Sequence, residues 1–299
     1  MVLRAYARAK INLAIDVLGK RQDNYHQVAM VLQSLELSDF LYFQKNKEGI
    51  TFTCSDPVLG NSENNLVYRA AVLMQQAAPG TVPGVRIHLE KKIPLAAGLG
   101  GGSADAAATL VALNKLWGLE LKQGELVGLG LRLGADVPFC LIGGTALVEG
   151  MGERVYPLPG LPVLPVVLAK PPFGLSTAEV YRRISLEEPG PRPDMGILKE
   201  AIYKGAWQEI WDNAVNVLEK GVAPGYLAEI KRLKETLRRL GGRGVAMSGS
   251  GPTVFGFFPE AKEAEAAATR LQKLGYWSVA TKTCSVGVSS ENKRGCRKK

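Results

Sequence analysis

Histidine and cysteine are scarce in this chain, with two and four among 299 residues. Two histidines are too few for a His-rich metal centre, although a carboxylate site stays open. The cysteines, Cys54, Cys140, Cys284 and Cys296, are scattered, and no pair has the Cys-x-x-Cys spacing of a zinc or redox site. Free thiols in a reducing cytoplasm are therefore expected. Long apolar runs are missing too. The most apolar stretch, Leu161–Ala169, is interrupted by Pro162 and Pro165 and falls far short of the roughly 18 residues of a membrane span. Arg4, Arg8 and Lys10 stand where a signal peptide would have its apolar core, so the expected location is cytoplasmic.

What is present is the composition of an ordinary globular protein, 46% hydrophobic and 22% charged. A formal charge of +9 points toward polyanions, yet the terminal segment Ser285–Lys299 supplies +4 of it. Its small, polar, basic residues read as a disordered tail. The remainder is mildly basic, as suits a protein that handles polyphosphates. A basic nucleic-acid-binding module is the alternative of a different class. The reading preferred here has neither nucleic acid nor membrane as a partner, with monomer and homodimer both open.

The first ninety residues read mainly as strands: Val2–Ala7 and Ile11–Leu18 flanking Arg8–Lys10, then Gln27–Glu36, Phe40–Phe43 and Ile50–Cys54. Helical spacing over Asn64–Gln76 precedes an alternating strand at Val85–Glu90. Helices are expected over Ser103–Trp117 and Gln123–Leu133, and strands over Val137–Leu141, Thr145–Glu149 and Leu164–Leu168. Beyond Lys170 helices predominate, at Thr177–Ile184, Gly196–Tyr203, Ala206–Leu218, Ala223–Leu240 and Glu260–Leu274. Short strands at Val245–Met247, Thr253–Phe258 and Trp277–Thr283 complete the pattern. This order predicts two α+β domains, 1–160 and 161–284, followed by the tail 285–299.

The most informative segment is Pro94-Leu95-Ala96-Ala97-Gly98-Leu99-Gly100-Gly101-Gly102-Ser103-Ala104. Glycines let the backbone take positive φ and approach a ligand closely. The loop opens onto a helix whose first amides lack intrahelical partners, and with the helix dipole they form an anion site. Ser103 is placed to cap that helix or to meet a phosphate or a magnesium-bound water. No Gly-Lys-Ser/Thr follows, so this is not a Walker A loop, and the register is not that of a dinucleotide fold. A close-packed turn would need fewer glycines, so phosphate binding is preferred.

That segment resembles the second motif of the GHMP kinases. Ala9-Lys10-Ile11-Asn12-Leu13 resembles their first, and Met247-Ser248-Gly249-Ser250-Gly251-Pro252-Thr253 their third. Gly19-Lys20-Arg21-Gln22-Asp23-Asn24-Tyr25-His26 and Leu133-Gly134-Ala135-Asp136-Val137-Pro138-Phe139 narrow the likeness to the branch acting on a cytidine-diphosphate-linked alcohol. Gln22 and Asn24 replace the usual Pro and Gly; asparagine tolerates left-handed backbone better than most residues. The resemblance spans about residues 5–283. It implies a two-domain architecture, a ribosomal-protein-like β/α domain followed by an α/β sandwich domain.

The resemblance further implies ATP-dependent phosphorylation of the 2-hydroxyl of 4-diphosphocytidyl-2-C-methyl-D-erythritol, on the non-mevalonate route to isopentenyl diphosphate. Other GHMP acceptors, homoserine or a mevalonate derivative, are the nearer alternatives. Asp136 would accept or orient the hydroxyl proton, and Lys10 would bring positive charge to the γ-phosphate. Residues 94–104, with Asn65 and Lys91, would hold ATP, and Asn65 serves equally well as a helix cap. Asn12, Tyr25, His26 and Tyr181 would hold the acceptor, the aromatics at its cytosine. Mg²⁺ would accompany ATP, with no protein ligand assigned beyond the nearby Ser103.

Overall fold

The computed structural model describes residues 2–22, 26–47, 49–59, 63–185 and 190–293. One sheet is built from β1 (Val2–Lys20), β2 (His26–Asn46), β3 (Ile50–Cys54), β4 (Gly84–Glu90), β5 (Thr145–Gly150) and β6 (Arg154–Pro157). A four-stranded antiparallel sheet holds β7 (Pro165–Lys170), β8 (Arg243–Met247), β9 (Val254–Phe257) and β10 (Trp277–Lys282), in the order β10-β7-β9-β8. A last strand, β11 (Val288–Lys293), returns to the first sheet.

Where the sequence suggests two strands on each side, β1 and β2 are each continuous and pair antiparallel from Leu3↔Phe43 to Lys20↔His26. Their register shifts between Arg8 and Lys10, between Asn12 and Ala14, and between Val17 and Gly19. Each irregularity resets which side chains face the core, so alternation fails locally although pairing continues. The length of β2 serves two neighbours: its first half pairs with β5 and its second half with β4. β3 lies parallel to β4.

The first sheet is covered by α1 (Leu66–Ala77) and α2 (Gly101–Trp117), with α3 (Gln123–Leu131) and α4 (Val137–Ile142) beside α2. Ala104, Ala106, Ala107, Ala108 and Ala112 of α2 are all buried. Alanine is the best helix former, and its small side chain lets the helix lie close to β1. After β7 follow α5 (Thr177–Arg182), α6 (Met195–Lys204), α7 (Trp207–Asp212), α8 (Pro224–Arg239) and α9 (Ala261–Lys273). Of these, α8 packs on β8 and β9, and α9 on β7 and β10.

Three expectations are corrected. Residues Val137–Leu141 are helical, because Pro138 in the first turn fixes φ and loses only an amide that would be unpaired anyway. The helix expected over Ala206–Leu218 stops at Asp212. Asn216 instead bridges to Ile15 of β1, and its side chain accepts the amide of Leu218 to start a 3-10 turn over Val217–Gly221. The tail expected to be disordered over 285–299 contributes β11, which pairs with β1 from Val2↔Lys293 to Ala7↔Val288. An edge strand needs backbone partners more than apolar side chains, and Glu291 adds a hydrogen bond from Tyr6 (2.5 Å) and an ion pair with Arg4 (3.7 Å).

One buried charge cluster ties sheet to helix. The Lys91 ammonium, just beyond β4, reaches Asp39 of β2 (2.5 Å) and Asp105 of α2 (2.7 Å). Asp39 also accepts the backbone amides of Lys92 (2.5 Å) and Ile93 (2.8 Å), which fixes the approach of the chain to the glycine-rich loop. All three side chains are almost without solvent. Burial, with Asp39 adding to it against the opposing Lys91, pushes the Asp105 carboxyl up to about 8. Two carboxylates sharing one ammonium out of water favour keeping one proton.

Two outcomes follow. A native carboxyl that keeps its proton where the unfolded chain has lost it stabilises less as pH rises between the two values. Relative to Asp105→Asn, the unaltered protein should therefore lose thermal stability from about pH 4 to about pH 8; a pH-independent difference in Tm contradicts the assignment. Truncation after Gly287 removes the β11 ladder and should lower Tm by about 2–4 °C or more. An unchanged melting curve by circular dichroism contradicts a structural role for the strand.

Candidate active site

The irregular middle of β1 carries Lys10 and Asn12 inward, and both are buried. The Lys10 ammonium donates to Asn12 Oδ1 at 2.7 Å and lies 3.6 Å from Asp136 Oδ2. Its backbone amide donates to the Leu99 carbonyl at 3.0 Å, which fastens β1 to the glycine-rich loop. An ammonium this buried needs such partners to offset its lost hydration. Asp136 occupies the cap position of α4 but makes no cap hydrogen bond with its side chain. That carboxylate is instead 32% exposed, facing Lys10 on one side and open space on the other.

The glycine-rich loop turns through left-handed backbone at Ala96, Gly98 and Gly100, with φ of 47°, 75° and 69°. Gly98 is required on two grounds: its φ, and a Cβ there would collide with the Ser248 carbonyl oxygen. Gly100 takes the cap position, so α2 starts at Gly101 and Ser103 lies within the first turn rather than capping it. No side chain satisfies the first amides of α2, which leaves them and the helix dipole for an anion.

The third motif closes around the same lysine. Ser248 Oγ donates to the Gly98 carbonyl (2.9 Å) and accepts the Asn12 amide (3.3 Å), while the Thr253 amide reaches the Ala97 carbonyl (3.3 Å). A Cβ on Gly249 would stand 3.2 Å from Lys10 Nζ and 3.3 Å from Asn12 Oδ1, so a side chain there would press on both. Ser250 also lines the cleft, with its hydroxyl 2.8 Å from that of Thr177. The Asn216 amide donates to the carbonyls of Met247 (2.7 Å) and Gly249 (2.8 Å) and holds the turn from behind.

These pieces line a cleft of about 1200 Å³. It brings together Lys10, Asn12, His26, Lys91, Asp136, Tyr181 and residues 94–103. Lys91 faces the start of α2, where a Cβ on Gly101 would sit 3.3 Å from its ammonium. Ala104 is not among the lining residues and is buried on α2. Asn65 is not either; its side chain caps α1 by accepting the Val67 amide at 2.9 Å. Tyr25 lies outside the described residues.

The His26 and Tyr181 rings meet at 5.1 Å between centroids, tilted by 37°. Burial lowers the His26 pKa, helped by the Lys20 charge, and burial raises that of Tyr181, with Asp136 adding to it. His26 is thereby held toward the neutral imidazole, able to donate and to accept. Among the residues that sequence reasoning missed, Asp105 left a trace as the lone carboxylate in an alanine-rich helix. Asp39 and Asn216 left none, because their roles depend on partners 52 and 31 residues distant.

Helix amides, a close-fitting glycine turn and a buried ammonium fit a nucleotide triphosphate. Among the described residues no group of three or more His, Cys, Asp or Glu could hold a metal ion. No helix among the described residues is long and apolar enough to cross a membrane.

Comparison with known proteins agrees with this chemistry. The family model of the GHMP kinases N terminal domain matches residues 65–144, and that of the GHMP kinases C terminal matches residues 192–276. A 4-diphosphocytidyl-2-C-methyl-D-erythritol kinase of Pelotomaculum thermopropionicum is 47% identical over 95% of this chain and 98% of its own. One of Caldicellulosiruptor saccharolyticus is 44% identical over 95% and 97%. A crystal structure of 4-(cytidine 5'-diphospho)-2C-methyl-D-erythritol kinase superposes with a TM-score of 0.78 at 38% identity, covering 94% of this chain and 98% of that one. The homoserine kinase of Cytophaga hutchinsonii, at 19% identity and a TM-score of 0.76 over 97% of each chain, shares the fold. A chain whose two halves match both models in order, and whose relatives match it nearly end to end, belongs to the GHMP kinases, a family of ATP-dependent kinases.

Proposed function

We propose that this protein transfers the γ-phosphoryl group of ATP to the 2-hydroxyl of 4-diphosphocytidyl-2-C-methyl-D-erythritol, in the non-mevalonate route to isopentenyl diphosphate. The observation that carries the reading is the Lys10 ammonium, buried between Asn12 and Asp136 where the glycine-rich turn meets the cleft. The names of the relatives support the choice of acceptor.

ATP lays its phosphates against the amides of Gly98–Ser103 and the start of α2, with Lys91 beneath. Magnesium arrives with the nucleotide as the substrate complex, keeping its own waters. Asp136 orients the acceptor hydroxyl and takes its proton as the oxygen attacks phosphorus. The bond from that phosphorus to the bridging oxygen breaks, and ADP leaves. The Lys10 ammonium, set between Asn12 and Asp136, balances the charge that spreads over the transferring oxygens. His26, Tyr181 and Tyr25 receive the cytosine, whose polar edge suits a neutral imidazole and whose faces suit aromatic rings. ATP is a cytosolic reagent, which accords with a cytoplasmic enzyme.

Purified protein given ATP and, in turn, the cytidine acceptor, homoserine and mevalonate should release ADP with the first alone; turnover of homoserine or mevalonate instead overturns the assignment. Asp136→Asn should lower kcat by a factor of about 10² or more and leave ATP affinity by calorimetry within error of the parent. Near-normal turnover in that variant removes Asp136 from its role.

A further inference from the structure

A second cavity, of about 870 Å³, lies between α7, α8 and the start of β8 and shares none of the cleft's lining residues. One wall is a single face of α8, on which Leu227, Lys231, Lys234 and Arg238 recur at helical spacing. Another wall holds Trp211, with the Arg243 guanidinium 5.3 Å from its ring centroid. Among the described lining residues five cations stand against two carboxylates, Asp212 and Glu219. The proposed phosphoryl transfer uses none of them. An excess of positive charge around an indole face and a leucine fits an anion that also carries an apolar or planar group.

The floor of this cavity reaches the catalytic turn. Asn216, which lines it, is the residue that holds the carbonyls of Met247 and Gly249. Glu219 binds Lys234 with both carboxylate oxygens (2.6 and 2.8 Å) and also accepts the Met247 amide at 3.3 Å. An anion that draws Lys234 away from Glu219 therefore alters the support of the strand leading into Ser248 and Gly249, which touch the surroundings of Lys10.

We infer that this cavity is an effector site for a small phosphate ester, read out at the catalytic turn through Glu219 and Asn216. The phosphate oxygens meet Lys231, Lys234 and Arg243, and the ester group lies against Trp211 and Leu227.

The test uses the full chain with its cleft saturated by a non-hydrolysable ATP analogue and cytidine diphosphate, titrated calorimetrically with phenyl phosphate and, separately, inorganic phosphate. Phenyl phosphate should bind at one further site, and the double variant K231E/R243E should weaken it about tenfold or more. Both substituted residues are exposed, so the fold is retained. In turnover assays phenyl phosphate should change the acceptor KM about fivefold or more in the parent and not in the variant. Absence of binding, binding that survives the double variant, or binding that leaves KM unchanged overturns the inference. Equal affinity for inorganic phosphate overturns the ester as the ligand. The binding arm needs no turnover, so its failure is separate from any failure of the proposed acceptor.

Discussion

A charged lysine taken out of water is the constraint around which this molecule is arranged. Burying an ammonium without partners costs several kcal/mol. Lys10 is 4% exposed. Its ammonium is met by Asn12 on its own strand and by Asp136 ahead of α4, from a part of the sequence more than a hundred residues distant. The third wall, at Gly249, is bare backbone, because a Cβ there would press on Lys10 and Asn12 at once. The first-motif strand, the segment that carries Asp136 and the third-motif turn therefore meet at one charge, which Asn12 and Asp136 satisfy and for which Gly249 leaves room.

The remaining contacts make that meeting rigid. Ser248 bridges the Asn12 amide and the Gly98 carbonyl, so the glycine-rich turn is set relative to the lysine by hydrogen bonds of 3.3 and 2.9 Å. The Asp39–Lys91–Asp105 cluster fixes the other end of the loop, where the chain leaves β4 and enters α2. A phosphate site built from backbone amides has no side chains to adjust, and its precision comes from how firmly the backbone is pinned. Elsewhere along the cleft the His26 and Tyr181 rings lie against each other, which is where the proposed function puts the cytosine.

Much of this was legible in the residues. The glycine run followed by a helix, the lysine and asparagine two apart on a strand, and the alternation of β4 each have a local physical cause, and local causes survive in a sequence. The long strands were harder to read, because the shifts at Arg8/Lys10 and Asn12/Ala14 break the period that marks a strand. Residues Val137–Leu141 read as a strand from their apolar content alone, whereas Pro138 and Gly143 decide for a short helix over Val137–Ile142. The β11 strand had no apolar signature, since its partners are the backbone of β1 together with Tyr6 and Arg4. Asp39 and Asn216 acquire their roles only from contacts made across the fold, which spacing does not record.

The most direct test of the central claim is a crystal structure with a non-hydrolysable ATP analogue and the cytidine acceptor bound together. The γ-phosphate should lie between the amides of Gly98–Ser103 and the Lys10 ammonium, with the acceptor hydroxyl within about 3 Å of the Asp136 carboxylate. A triphosphate lying outside that turn, or an acceptor hydroxyl remote from both Lys10 and Asp136, would contradict it.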